Sequence, residues 1–333
     1  MERTPFGTTS RGEAVERILL DNGAISVGIL TYGATLQDLR IAGIDRSLTL
    51  GSPRLADYEP GGAFTYFGAI AGPVANRIAR AATRFDGRDL AFEPNGPGGH
   101  HLHGGSTGLS WKVWQVERAD EANVVLSVEA AHGEGSLPGN RRFEATFSLA
   151  DGPSLTLTLR AETDAPTLVN LANHSYWNLS DAATFHGHLL QVEAGNVMPV
   201  DADALPTGEV LPVAGTAMDF RSARALTAAD HLDNNFCLGT SRTALRPAAS
   251  LAAPGGPAMT IETTEPGLQV YDARHMPAGG ATGTDGRVFG PRSGVALEAQ
   301  FWPDAPSHAD FPSIRLDPGQ PWEQVTRFTF RTA

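Results

Sequence analysis

The run Asn170-Leu-Ala-Asn-His-Ser-Tyr-Trp-Asn-Leu179 sets one histidine among amides, a hydroxyl and aromatic rings. Such a mixture suits a polar ligand with apolar faces, which describes a sugar. In an extended chain, alternation gives Asn170, His174, Tyr176 and Asn178 one face, and Leu171, Trp177 and Leu179 the other. A buried histidine held by hydrogen bonds fits the same stretch equally well. A second run, Val295-Ala-Leu-Glu-Ala-Gln-Phe-Trp302, sends Val295, Leu297, Ala299 and Phe301 one way and Ala296, Glu298, Gln300 and Trp302 the other. Glu298 thereby shares a face with an amide and an indole. That face is either solvated or a sugar cleft holding a carboxylate, since aromatic rings stack on the C–H faces of sugars.

Two further stretches carry polar groups in settings that need explaining. Residues 66–79 are small and apolar except for Asn76 and Arg77, so two strongly polar side chains sit in a core-like run and require partners. Arg77 either closes a structural ion pair or holds ligand oxygens with its planar fork. Residues 95–105 pack His100, His101 and His103 into a glycine-rich loop. Their spacing matches no common zinc pattern, and glycines of this kind let backbone approach a ligand closely, so no metal is expected. Asp233, within Leu232-Asp-Asn-Asn-Phe236, reads from its own surroundings as a turn or cap residue.

The elements that must position these groups read as strands. Alternation is clear at Ile25, Val27 and Ile29, then at Leu36, Leu39 and Ile41 after a break at Tyr32-Gly33-Ala34. It returns over 124–129, 142–149, 154–159 and 325–330, with turns at Asp21-Asn-Gly23, Pro138-Gly-Asn140 and Asp151-Gly-Pro153. Arg54–Tyr58 suits no more than a helical turn, and Pro73 argues against a regular central strand there. The 37 glycines and 23 prolines are spread along the 333 residues, as many short strands joined by turns require. The expected class is therefore all-β, and no repeat, linker or low-complexity tract divides residues 1–333.

A net charge of −12 without a basic run argues against nucleic acid or an anionic membrane as partner. Cys237 is the only cysteine, so neither an intramolecular disulfide nor a cysteine zinc cage can form. The N-terminus lacks the pattern of a secretory signal, and no apolar run reaches the length of a membrane span, so a soluble, cytoplasmic protein is expected, monomeric or homodimeric.

Together these stretches resemble the aldose 1-epimerase (galactose mutarotase) family. The resemblance spans nearly the whole chain. It is carried by Tyr32-Gly-Ala34, Ala75-Asn-Arg-Ile78, Leu102-His-Gly-Gly105, Asn173–Leu179, Leu205-Pro-Thr-Gly208 followed by Gly215–Phe220, Leu232–Phe236, Leu268-Gln-Val-Tyr271, Leu297-Glu-Ala-Gln300 and Pro303-Asp-Ala305. It implies a single large antiparallel β-sandwich that binds a free hexose or pentose without metal or organic cofactor. Position by position, it implies Glu298 as general base, His174 as general acid and His103 as a second active-site histidine. Asn76, Arg77, Asp233 and Gln269 match positions that hydrogen-bond the sugar. Opening the ring requires the C1 hydroxyl to lose a proton as the ring oxygen gains one, which a carboxylate and an imidazolium on opposite sides of the C1–O5 bond can arrange. Two departures stand out: Gly72-Pro73 where the family commonly has Gly-Arg, and Tyr271-Asp-Ala-Arg-His275 where it has a Tyr-Thr-Gly-Asn type of run. Both are expected to reshape the sugar pocket. The alternatives are a hexose-6-phosphate 1-epimerase, with Arg274 as a candidate phosphate ligand, and a non-catalytic sugar sensor of the same fold.

Overall fold

A computed structural model describes residues 1–277 and 280–332. Its largest sheet has nine strands in the order Gln115–Ala119, Asn123–Ala130, Arg141–Leu149, Ser154–Thr163, Trp322–Arg331, Ala258–Thr263, Arg246–Ala252, Leu189–Val192 and Arg224–Ala225. All of its pairings are antiparallel. Strand Arg141–Leu149 alternates buried and half-exposed residues along its whole length, which leaves Phe143, Ala145 and Phe147 facing the core. A six-stranded antiparallel sheet contributes Val295, Leu297, Ala299, Leu268 and Val270 to the same apolar cluster. The two layers interlock where the Trp177 ring sits 5.2 Å from Phe328 and where Gln324 Nε2 donates to the Ala299 carbonyl at 2.8 Å.

A four-stranded sheet, Glu2–Thr8, Ala14–Asp21, Ile25–Leu30 and Thr35–Ile41, completes the main layers. The break at Tyr32-Gly33-Ala34 falls between the last two strands, as expected, with a register shift at Gly28/Ile29. Strand Glu2–Thr8 escapes alternation analysis because it is exposed almost throughout. Helical structure among the described residues is limited to three-residue 3-10 turns, one of them Leu55–Asp57 within the expected Arg54–Tyr58 segment. Strand Ile70–Ala71 ends before Pro73, where a missing N–H cannot continue a ladder. Val295–Gln300 keeps the expected alternation, with Val295, Leu297 and Ala299 in the core, and because all six residues are buried its second face is not a solvated one. It is an inner strand with both faces covered, one by the nine-stranded sheet and the other by the walls of a cavity.

Phe328 is the test of the layer contact. Phe328→Ala is expected to cost about 3–5 kcal/mol in urea denaturation, because the hole opens beneath Trp177 where neither sheet can collapse.

Candidate active site

Strand register explains why one face of the six-stranded sheet is polar. Gln269 pairs with Glu298, Asp233 with Tyr271, and Tyr176 with Ala296. Residues paired across an antiparallel ladder point the same way, as do residues two apart along a strand. Tyr176, Glu298, Gln269, Tyr271 and Asp233 are therefore gathered on one side, while Trp177, Leu297, Leu268 and Val270 face the core.

The opposite wall comes from two backbone segments paired at Arg77 and Leu102. Asn76 N donates to His103 Nδ1 and His103 N donates to the Asn76 carbonyl, each at 3.1 Å. Both residues hold left-handed backbone, with φ of 62° and 52°. That conformation costs a non-glycine residue on the order of 1–3 kcal/mol, and the reciprocal bonds maintain it. Gly104 follows because a Cβ there would lie 2.1 Å from the Gly72 carbonyl oxygen. The three histidines of this loop diverge. His100 accepts from Arg80 N, His101 bonds the Glu93 carbonyl, and His103 alone enters the cavity. Among the described residues, no three His, Cys, Asp or Glu side chains are grouped to hold a metal ion.

All seven site residues expected from sequence line one cavity of about 210 Å³. His174 Nε2 lies 3.6 Å from Glu298 Oε2, and both side chains are almost completely buried. Gln269 Nε2 donates to Asp233 Oδ1 at 2.7 Å, and Arg77 Nη2 lies 3.5 Å from Asp233 Oδ2. Arg77 Nε, His174 Nδ1, Gln269 Oε1 and Glu298 Oε2 are buried without a hydrogen bond to another residue.

Burial dominates the electrostatics. It pushes the Glu298 carboxyl well above the usual range, with the Asp233 charge adding to it and Arg77 opposing. It pushes His174 down to about 4. His103 is held well below the usual imidazole value by burial, then by His174 and Arg77. Because its Nδ1 accepts from Asn76 N, the neutral His103 ring carries its proton on Nε2. Asp233 is raised by burial, against the pull of Arg77.

Several expectations need correction. Asn170 and Asn178 do not face the cavity, since the run is broken between Ala172–Asn173, which pairs with Ile70–Ala71, and Tyr176–Trp177, which pairs with Val295–Ala296. Asn170 instead clamps the Phe301 backbone, and Asn178 donates to the carbonyls of Ala182 and Ser293. Trp302 lies outside the cavity lining; its Nε1 donates to the Pro266 carbonyl and its ring packs on Phe311. Pro73 lines no part of the cavity, whereas Tyr271 and His275 do. Of the two departures from the family pattern, only the second reaches the site. Arg274 turns away to buried Asp272, 2.9 Å from its Nε. Tyr66 was not anticipated: it belongs to the apolar run, and only its φ of 67° and its tertiary packing bring it to the site.

An antiparallel sandwich that sets a buried carboxyl beside a buried imidazole on one polar cavity is equipped for acid–base chemistry. The aldose 1-epimerase family model matches residues 16–329. Human galactose mutarotase is 36% identical, covering 99% of this chain and 98% of its own. Aldose 1-epimerase from Escherichia coli K12 is 31% identical over 94% of each. Among solved structures, an aldose epimerase homologue from C. elegans aligns with a TM-score of 0.88 at 30% identity, covering 96% of this chain and all of that one. Galactose 1-epimerase from Lactobacillus acidophilus aligns at 0.84 and 25% identity, covering 100% and 98%. The chain belongs to the aldose 1-epimerase family, whose members are isomerases.

The raised Glu298 pKa has a consequence for stability. A carboxyl whose folded pKa exceeds its unfolded value favours the folded state only while protonated, so stability falls as pH rises above the unfolded pKa. Glu298→Gln removes that cost. Its melting temperature is expected to exceed that of the unmodified protein at pH 7, with the gain shrinking as pH approaches the ordinary carboxylate range in differential scanning calorimetry.

Proposed function

We propose that this cavity interconverts the α and β anomers of a free aldose, with Glu298 as general base, His174 as general acid, and Asn76, Arg77, Asp233 and Gln269 holding the sugar hydroxyls. The observation that carries the reading is the buried pair 3.6 Å apart. O1 and O5 are both bonded to C1, so one proton must be withdrawn and another delivered at neighbouring atoms. Two groups standing side by side suit that demand.

Proton bookkeeping follows from the pair. With carboxylate and imidazolium, Glu298 takes the O1 proton while His174 delivers one to O5, the C1–O5 bond breaks and an aldehyde forms. The pair is then carboxylic acid and neutral imidazole, with the same total of one proton. That neutral form is the one burial favours. Rotation about C1–C2 presents either aldehyde face, and reclosure returns both protons. Neutral His103 adds an Nε2–H donor to the same space. Arg77 and Asp233 neutralise each other and present donor and acceptor together to adjacent hydroxyls.

A neutral aldose is favoured over a sugar phosphate. Arg77 is the only arginine or lysine lining the cavity among the described residues, it already faces Asp233, and Arg274 is engaged by Asp272. A binding module of the same fold would have no use for the matched acid and base. We further propose that residues 1–333 act as one domain, since strand Trp322–Arg331 sits inside a sheet begun at Gln115.

Polarimetry of freshly dissolved α-D-glucose and α-D-galactose tests the activity. Glu298→Gln and His174→Asn are each expected to lower kcat by about 10²–10⁴-fold. The rate should follow a bell in pH. Its acid limb lies below the usual imidazole range, where His174 gains a second proton for the pair, and its alkaline limb lies above the usual carboxylate range, where Glu298 loses the last one. No acceleration over buffer with hexoses, pentoses or sugar phosphates would leave the binding module. Arg77→Ala is expected to raise KM about 10–100-fold with a smaller change in kcat, the loss of a charged hydrogen bond being worth about 1.5–3 kcal/mol.

A further inference from the structure

His174 Nδ1 finds no hydrogen-bond partner beyond the backbone of its own residue, so no neighbouring segment sets the tilt of this imidazole by a hydrogen bond. One short segment grips its backbone instead. Gly68 N donates to the His174 carbonyl and His174 N donates to the Ala69 carbonyl, both at 2.9 Å, while Asn173 Nδ2 donates to the Gly68 carbonyl at 2.8 Å. The same segment supplies the ring contacts. Tyr66 lies 6.2 Å from the His174 ring with 15° between planes, and 4.9 Å from the His103 ring. Phe67 stacks on Tyr176 at 3.8 Å, and Tyr176 in turn stacks on His174 at 5.0 Å and 22°. Trp111 backs Tyr66 at 4.7 Å.

We propose that Tyr66 is a positioning residue of the acid–base pair: its ring fixes the plane of the His174 imidazole and, with Tyr176, keeps water away from it. The proposal deepens the anomer-interconversion reading and rests on it. Tyr66 holds its left-handed backbone in the wall of the cavity that both histidines line. The titratable groups around His174 are Glu298, His103, Tyr66 and Tyr176. Those around His103 are His174, Arg77, His101 and Tyr66. Burial is the leading cause of the low proton affinity of both rings, so water admitted by loss of Tyr66 acts on them directly.

The test compares Tyr66→Gly with Tyr66→Phe. Glycine accepts the backbone at φ 67° and removes the ring, whereas phenylalanine keeps the flat face and removes the hydroxyl. Polarimetric kcat and KM are measured across pH, together with the titration of the His174 imidazole followed by ¹⁵N NMR. Tyr66→Gly is expected to lower kcat by about 10–100-fold, as small misplacements of a catalytic group do. It should also move the acid limb and the His174 titration up toward the ordinary imidazole range, while Tyr66→Phe leaves both where they were. If circular dichroism shows Tyr66→Gly to be unfolded, Tyr66→Leu replaces it: the space stays filled, so kcat falls while the acid limb stays. An unmoved His174 titration in Tyr66→Gly, an equal movement in Tyr66→Phe, or an unchanged kcat in Tyr66→Leu would overturn the proposal. The NMR titration reads the ring without turnover, so failure of the catalytic reading is seen separately, as absence of acceleration by the unmodified protein.

Discussion

The carboxyl side of the site depends on the pairing of strand Gly267–Tyr271 with strand Val295–Gln300. The ladder sets Gln269 beside Glu298 and leaves Leu268, Val270 and Leu297 on the far side. Because the side-chain period of a strand is two, a slip of one residue would drive the carboxyl into the sandwich core and bring a leucine to the sugar. The aliphatic residues resist that slip, since each would lose its contacts with the nine-stranded sheet. Core packing thus enforces the chemistry from behind.

The second constraint is dryness. A carboxyl and an imidazole in water would each keep an ordinary pKa and would be separated by solvent. Placed among Tyr66, Tyr176 and the sheet, they lose that solvent, and burial raises the carboxyl and lowers the imidazole because it disfavours the charged form of each. The protein bears the cost of leaving polar atoms such as Arg77 Nε and Gln269 Oε1 without a hydrogen bond.

Much of this was legible in the residues, and the illegible parts share a cause. Regular alternation over 142–149 and 154–159 revealed strands because each has one wet and one dry face. Alternation misled at Asn170 and Asn178, because the backbone changes partner strand between Asn173 and Tyr176, and no local pattern records which ladder a residue joins. It misled again at Trp302, which lies past the end of the ladder and is turned toward Pro266. Gathering of Asn76, His103, His174, Asp233, Gln269 and Glu298 was expected from the family motifs rather than from chemistry local to each. Tyr66 was missed because a tyrosine in an apolar run looks like core, and its role arises only when the chain folds over the two histidines.

Strand Trp322–Arg331 lies between Ser154–Thr163 and Ala258–Thr263, bonded to both. During synthesis, the neighbours on either side are therefore complete long before the segment that joins them leaves the ribosome. The two halves of the nine-stranded sheet must wait with open edges, which is the condition that favours pairing between chains. The strand that closes the sheet is thus made after both of its neighbours, and the two edges that it joins stay open until it pairs.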